Sequence, residues 1–288
     1  MWYKSPCCWL QVFTPEVSSQ QISDSTTFLT CLSLSLSFST AVVIDDVEKD
    51  LPDFTEGWEG FIVGGQNAVA GQFPHMASLR STANSHFCGG FIVNNRWVVS
   101  AAHCTINRTP ANTWIVVGAL QLSTGGTNVF TSAVVNHPNY TPSTLANDIS
   151  LLQSRDVIAT SATVQPLAVG SEHVGGNLQA TAAGWGRVGA NLPLANTLQW
   201  LSTTTLTNAE CRSRMPNANT ANMVFDNTIC AFTRQGEGMC NGDSGSALFI
   251  GTTAIGVVSW GIGPCANGWP DNFARVSSHR TWIISHTG

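Results

Sequence analysis

From Ile62 onward the apolar residues fall in short runs: Phe91–Val93, Trp97–Ser100, Trp114–Gly118, Val129–Val135, Leu198–Leu206 and Ala254–Trp260. Gly, Asn and Pro separate them. Runs of this length, rich in Val, Ile, Trp and Thr and bounded by turn residues, predict β-strands. No long 3.6-residue period occurs until Ser277–His286, where Trp282 and Ile283 are placed to face a core from a short terminal helix. The pattern predicts an all-β fold and leaves sandwich and barrel both open.

The stretch before Ile62 reads differently. Leu29, Leu32, Leu34, Leu36 and Phe38 alternate with small polar residues within Phe28–Ile44, and Thr40-Ala41 offers small residues for cleavage. Its length and flanks fit the apolar part of a secretory signal better than a membrane span, although Leu-Ser alternation also fits a strand. Residues 1–41 are therefore predicted to be an N-terminal leader with a signal segment. Residues 42–61 are predicted to be an acidic pro-segment, and residues 62–288 the functional domain.

Composition narrows the classes. Hydrophobic residues make up 43% and charged residues only 10% of the 288, which allows a packed core over most of the chain. The net charge of -5 is unevenly spread. Seven acids lie in residues 45–59, whereas from Ile62 onward ten Arg stand against eight acids, with no Lys. No basic run or aromatic-basic stripe points to nucleic acid. Cys7, Cys8 and Cys31 precede Ile62 and six cysteines follow it. Six cysteines allow fifteen pairings, and no repeated Cys-x-x-Cys pair suggests a metal site.

Three motifs carry chemistry. They are Ala101-Ala102-His103-Cys104, Asn147-Asp148-Ile149-Ser150-Leu151-Leu152 and Gly242-Asp243-Ser244-Gly245. A serine hydroxyl is a weak nucleophile until an imidazole takes its proton and a buried carboxylate holds that imidazole in one tautomer. Alone, each motif has a plainer reading. Ser244 could be a solvated hydroxyl in a turn, His103 a core histidine or metal ligand, and Asp148 a helix cap. Their order and flanks resemble the trypsin and chymotrypsin family of serine proteases, and the resemblance runs from Ile62 to Gly288.

The resemblance implies two antiparallel six-stranded β-barrels with a short C-terminal helix, their boundary near residues 166–176 and the site between them. It implies disulfides Cys88–Cys104, Cys211–Cys230 and Cys240–Cys265, hence an oxidising compartment and secretion. It implies that Ser244 attacks the scissile carbonyl, His103 moves the proton and Asp148 orients His103. Backbone N–H groups of Gly242 and Ser244 are expected to form the oxyanion hole. Cleavage between Phe61 and Ile62 is expected to free an α-amine that pairs with Asp243. The residue at the activation bond suggests a chymotrypsin-like activator, the enzyme itself included.

For specificity, Gly238 falls where trypsin-like members carry an aspartate at the pocket base, which argues against a simple Arg/Lys pocket. Ser259-Trp260-Gly261 matches the strand that lines the pocket and pairs with substrate backbone. Asp271 places an acid on a segment that passes under the pocket. Together with Gly245-Ser246-Ala247, this resembles the arthropod serine collagenases (the brachyurin-like branch) and implies broad specificity. No cofactor or metal is expected, since no acid lies between Thr105 and Asn147. The expected partners are protein or peptide substrates and protein protease inhibitors, with no nucleic acid or membrane, for a monomer. A digestive endopeptidase is the leading reading; an inactive homologue acting as a binding protein is the alternative.

Overall fold

The computed structural model describes residues 62–288. The leader, the pro-segment, Phe61 and the cysteines at positions 7, 8 and 31 lie outside the described residues. The described chain is almost entirely antiparallel strand, in two sheets that each curl on themselves.

The first sheet runs in the order Thr127–Asn128, Trp114–Val117, Met76–Arg80, His86–Ile92, Trp97–Ser100, Ser150–Ser154, Thr131–Asn136. Its two end members belong to one run, broken where Phe130 takes a positive φ of 45°. The sheet therefore curls back on itself through that run. Phe91, Val99, Ile115 and Leu151 fill its interior, all fully buried. Burying such side chains stabilises the fold by about 1.5–3 kcal/mol each.

In the second sheet Gln199–Leu206, Gln179–Gly184, Ala247–Ile250, Thr253–Trp260, Asp271–Arg275 and Thr228–Phe232 follow one another. The last pairs back to the first through Thr205↔Ala231, closing six strands. Leu201, Ile229, Leu248 and Phe273 pack inside it. The short strand Gln66–Asn67 adds to its outer edge against Trp200 and Gln199, so the first described residues pack with this later half of the chain. The first sheet's last strand ends at Ser154, and Ala168–Val169 already pairs with Thr253–Trp260 of the second.

The expected strand at Phe91–Val93 begins earlier, at His86. Within this strand Gly89 is a point of close approach. A Cβ there would lie 2.0 Å from Ser246 Oγ. The expected terminal helix forms over Val276–Thr287, with Ile283 buried. A shorter helix, Asn208–Arg214, had a readable signal. Thr207 caps it, Glu210 reaches back to the Thr207 N–H, and seven residues are too few to show a period. Disulfides join Cys88 to Cys104, Cys211 to Cys230 and Cys240 to Cys265, across separations of 16, 19 and 25 residues.

Candidate active site

His103 and Asp148 meet because their strands do. Trp97–Ser100 and Ser150–Ser154 are antiparallel neighbours, with Ser100 opposite Ser150. The chain leaving the first strand and the chain entering the second therefore emerge at the same end of the sheet. His103 follows on the short helix Ala102–Thr105, and Asp148 lies two residues before Ser150. Asn147, in a left-handed conformation with φ of 55°, turns the chain just before Asp148.

Asp148 is 1% exposed and accepts three hydrogen bonds. The His103 backbone N–H donates to Oδ1 at 2.8 Å. His103 Nδ1 meets Oδ2 at 2.7 Å, and Ser259 Oγ donates to the same oxygen at 2.6 Å. In the tautomer that donates from Nδ1, the ring gives this buried carboxylate its third donor. That leaves the Nε2 lone pair available on the other side of the ring.

Ser244 comes from the second sheet, in the turn that precedes Ala247–Ile250. Gly242 and Gly245 hold that turn at positive φ (102° and 86°). A Cβ on Gly242 would also lie 3.1 Å from Gly186 Cα, so the close approach of that backbone adds to the positive φ in favouring glycine. The Gly89 N–H donates to Ser244 O at 2.8 Å, tying this turn to the first sheet. Ser244 and His103 line one cleft of about 390 Å³. Among the described residues no hydrogen bond joins Ser244 Oγ to His103; Nε2 lies 3.6 Å from Cys104 Sγ. Bonds of this kind commonly tighten only when substrate is bound.

Asp243, beside the serine, is fully buried. Its carboxylate accepts from the Gly186 N–H at 2.7 Å and the Cys240 N–H at 2.9 Å. Burial pushes its pKa up to about 7, against the pull of those two donors. Among the described residues no basic side chain pairs with it. Ile62 is also fully buried, in the cluster with Leu201, Met239 and Val258. Val63 bridges to Gly238, whose N–H donates to Val63 O at 3.0 Å.

Gly238 and Gly261 leave room for Asp271 in the cleft. A Cβ on Gly238 would lie 2.9 Å from Asp271 Oδ2, and one on Gly261 would lie 3.2 Å from Oδ1. Asp271 is itself partly open to the cleft, together with Trp260 and Trp269, and buried Ser259 lines it too. The Met239 N–H donates to Oδ2 at 2.9 Å. Burial raises the Asp271 pKa to about 7; the Met239 bond opposes this and the nearby Asp243 charge adds to it.

The family model described as Trypsin matches residues 62–283. The chain belongs to the trypsin family. Among its curated relatives, "Trypsin beta" of Drosophila erecta is 31% identical, over 79% of this chain and 89% of the relative. "Chymotrypsin-2" of Vespa crabro is 34% identical over 77% and 98%, and "Serine protease SP24D" of Anopheles gambiae is 34% identical over 77% and 79%. As a trypsin-family member the protein is a serine endopeptidase, acting on protein substrates.

Within this trypsin-family site, reasoning from sequence passed over several residues. His86 Nε2 lies 3.0 Å from Gly242 O, with Ser78 and Arg80 behind it. Position alone gave a hint, since His86 stands two residues before Cys88, but nothing local links it to Gly242. Cys88, Cys104 and His103 also form a cluster of metal-ligand type. Both sulfurs are spent in the disulfide, so no thiolate remains there to hold an ion. Among the described residues no helix is long and apolar enough to cross a membrane.

Proposed function

We propose that this trypsin-family endopeptidase works through a His103–Asp148–Ser244 triad, with the backbone N–H groups of Gly242 and Ser244 as the oxyanion hole. The observation that carries this reading is the 2.7 Å contact of His103 Nδ1 with buried Asp148 Oδ2, in a ring that shares its cleft with Ser244. Ser244 Oγ attacks the scissile carbonyl while His103 Nε2 takes its proton. The carbonyl oxygen, now negative, is held by the two N–H donors. His103⁺ then protonates the leaving amine and the acyl-enzyme remains. Water repeats the sequence and releases the acid. Asp148 holds the ring and stabilises its charged form throughout.

The protein is made as a zymogen on this reading. Cutting at Phe61–Ile62 frees an amine, and buried Asp243, which pairs with no basic side chain among the described residues, is its natural partner beside a fully buried Ile62. The pocket takes Phe, Leu and Met, and Asp271 at its floor admits Arg or Lys, as in the arthropod collagenase-like branch. Three disulfides fit an oxidising, extracellular setting. A secreted monomeric digestive protease, open to protein inhibitors at the same cleft, fits these features best.

A fluorophosphonate probe tests the reading. Protein cleaved at Phe61–Ile62 is expected to take one label, on Ser244, and to lose labelling in His103→Ala. A cleaved, folded protein whose Ser244 stays unlabelled would sink it.

A further inference from the structure

Arg108 is a cation that the proposed triad does not use. Among the described residues no carboxylate pairs with it; Asp156, Asp226 and Glu237 pair with other arginines. Its guanidinium carbon stands instead 4.0 Å from the centre of the Phe87 ring. A cation over an aromatic face at this range is attracted by the ring's quadrupole. Phe87 packs its other side on the core of the first sheet. Both side chains are half-buried, so the charge is held in place and still faces water.

Backbone ties put this pair beside the reacting serine. The strand His86–Ile92 touches the Gly242–Ser244 turn twice. His86 Nε2 lies 3.0 Å from Gly242 O, and the Gly89 N–H donates to Ser244 O at 2.8 Å. Phe87 lies between those two contacts. Arg108 follows the short helix that carries His103, and its N–H donates to Thr105 O at 2.8 Å. The Cys88–Cys104 disulfide joins the two segments, with Cys104 Sγ 3.6 Å from His103 Nε2. The cleft of about 390 Å³ runs the other way, from His103 and Ser244 to Trp260 and Asp271, and neither Phe87 nor Arg108 lines it. On the proposed specificity that cleft takes the side chain before the scissile bond. The chain after the bond then departs where His103 Nε2 delivers its proton, along the wall of the disulfide, Phe87 and Arg108.

Resting on the proposed triad, we infer that Arg108 determines specificity on the leaving-group side, selecting substrates with Asp or Glu at the first or second residue after the cut. A guanidinium meets a carboxylate with two parallel N–H donors, which gives direction as well as attraction. The stack on Phe87 orients its plane beforehand, so less rotamer freedom is lost when the substrate arrives. Lys or Arg at the same substrate positions meets a like charge and is disfavoured.

Peptides amidated at the C-terminus, all with Leu before the cut and differing only at the first or second residue after it, read this preference directly. Activated wild type is expected to cleave the Glu peptide about three- to fivefold better in kcat/KM than the Gln peptide at one of these positions, the scale of a partly exposed ion pair. The preference is expected to shrink between ~0.05 M and ~1 M salt, because the pair is open to water. Arg108→Gln is expected to abolish it, Arg108→Lys to keep part of it, and Phe87→Leu to weaken it by releasing the guanidinium plane. Arg108→Ala serves the same purpose if the Gln variant does not fold. A general loss of activity lowers both peptides alike and leaves their ratio unmoved, so a merely structural role does not imitate the result. Equal cleavage of Glu and Gln peptides by wild type at both positions, or a preference unchanged in a folded Gln or Ala variant, overturns the inference. The same ratio read as dissociation constants on cleaved Ser244→Ala needs no turnover, so failure of Ser244 labelling would overturn the proposed triad separately.

Discussion

The backbone N–H of Met239 donates to Asp271 Oδ2 across 2.9 Å, holding an acid in the cleft that His103 and Ser244 line, the floor of the proposed substrate pocket. One donor only partly offsets burial, and the carboxyl stays protonated until pH rises to about 7. On the proposed specificity, the floor below that pH is neutral and suits Phe, Leu and Met, and above it the floor is anionic and can meet Arg or Lys. The ratio of cleavage after Arg to cleavage after Leu, measured on peptides differing only at that residue, is expected to rise with pH through this range. Asp271→Asn is expected to flatten the ratio and leave cleavage after Leu intact.

The same shift has a stability consequence. With its folded pKa raised above the unfolded value, Asp271 binds more protons folded than unfolded between about 4 and about 7. Its contribution therefore falls as pH rises through that window. The melting temperature of Asp271→Asn relative to wild type is expected to be higher near pH ~8 than near pH ~4.

Asp148→Asn keeps the shape of the site but offers an amide where His103 Nδ1–H needs an acceptor. The ring then favours the wrong tautomer. The expected loss in kcat is about 10⁴-fold, the size of this effect in the type triad of the family, with KM little changed. Steady-state kinetics of the activated variant checks it.

On the proposed activation, the amine freed at Ile62 has an ordinary pKa of ~8, and pairing with buried Asp243 is expected to raise it. Stabilisation of the active form is then complete below the free value and is lost as pH rises through the paired value. An alkaline limb in kcat/KM is the expected sign. Acetylating the Ile62 amine, or Asp243→Asn, is expected to cost ~100-fold or more, the scale of a lost oxyanion donor. Full activity after acetylation would remove the pairing.

Gly89→Ala puts a Cβ 2.0 Å from the hydroxyl of Ser246, which is fully buried and has no hydrogen-bond partner. The expected cost is about 1–3 kcal/mol of stability, seen as a lower melting temperature. Adding Ser246→Gly is expected to recover much of it. Ser246→Ala alone is expected to be nearly neutral, because the hydroxyl it removes is unsatisfied.

Much of this was legible in the chain itself, because strand runs, turn residues and caps act locally. Trp97–Ser100 forms with the bounds its apolar run marks, and the period around Trp282 and Ile283 becomes the terminal helix. The residue types able to do acyl transfer were legible too, in His103, Asp148 and Ser244. Contacts between distant segments were not. Spacing alone leaves fifteen pairings of six cysteines open; the family resemblance implied the three that form, and the folded chain supplies the physical reason by bringing their segments together. The folded chain alone threads Arg80, Ser78 and His86 to Gly242 across 156 positions. Such relationships are set by which strands become neighbours and by what burial does to a charge, and neither quantity exists until the sheets close.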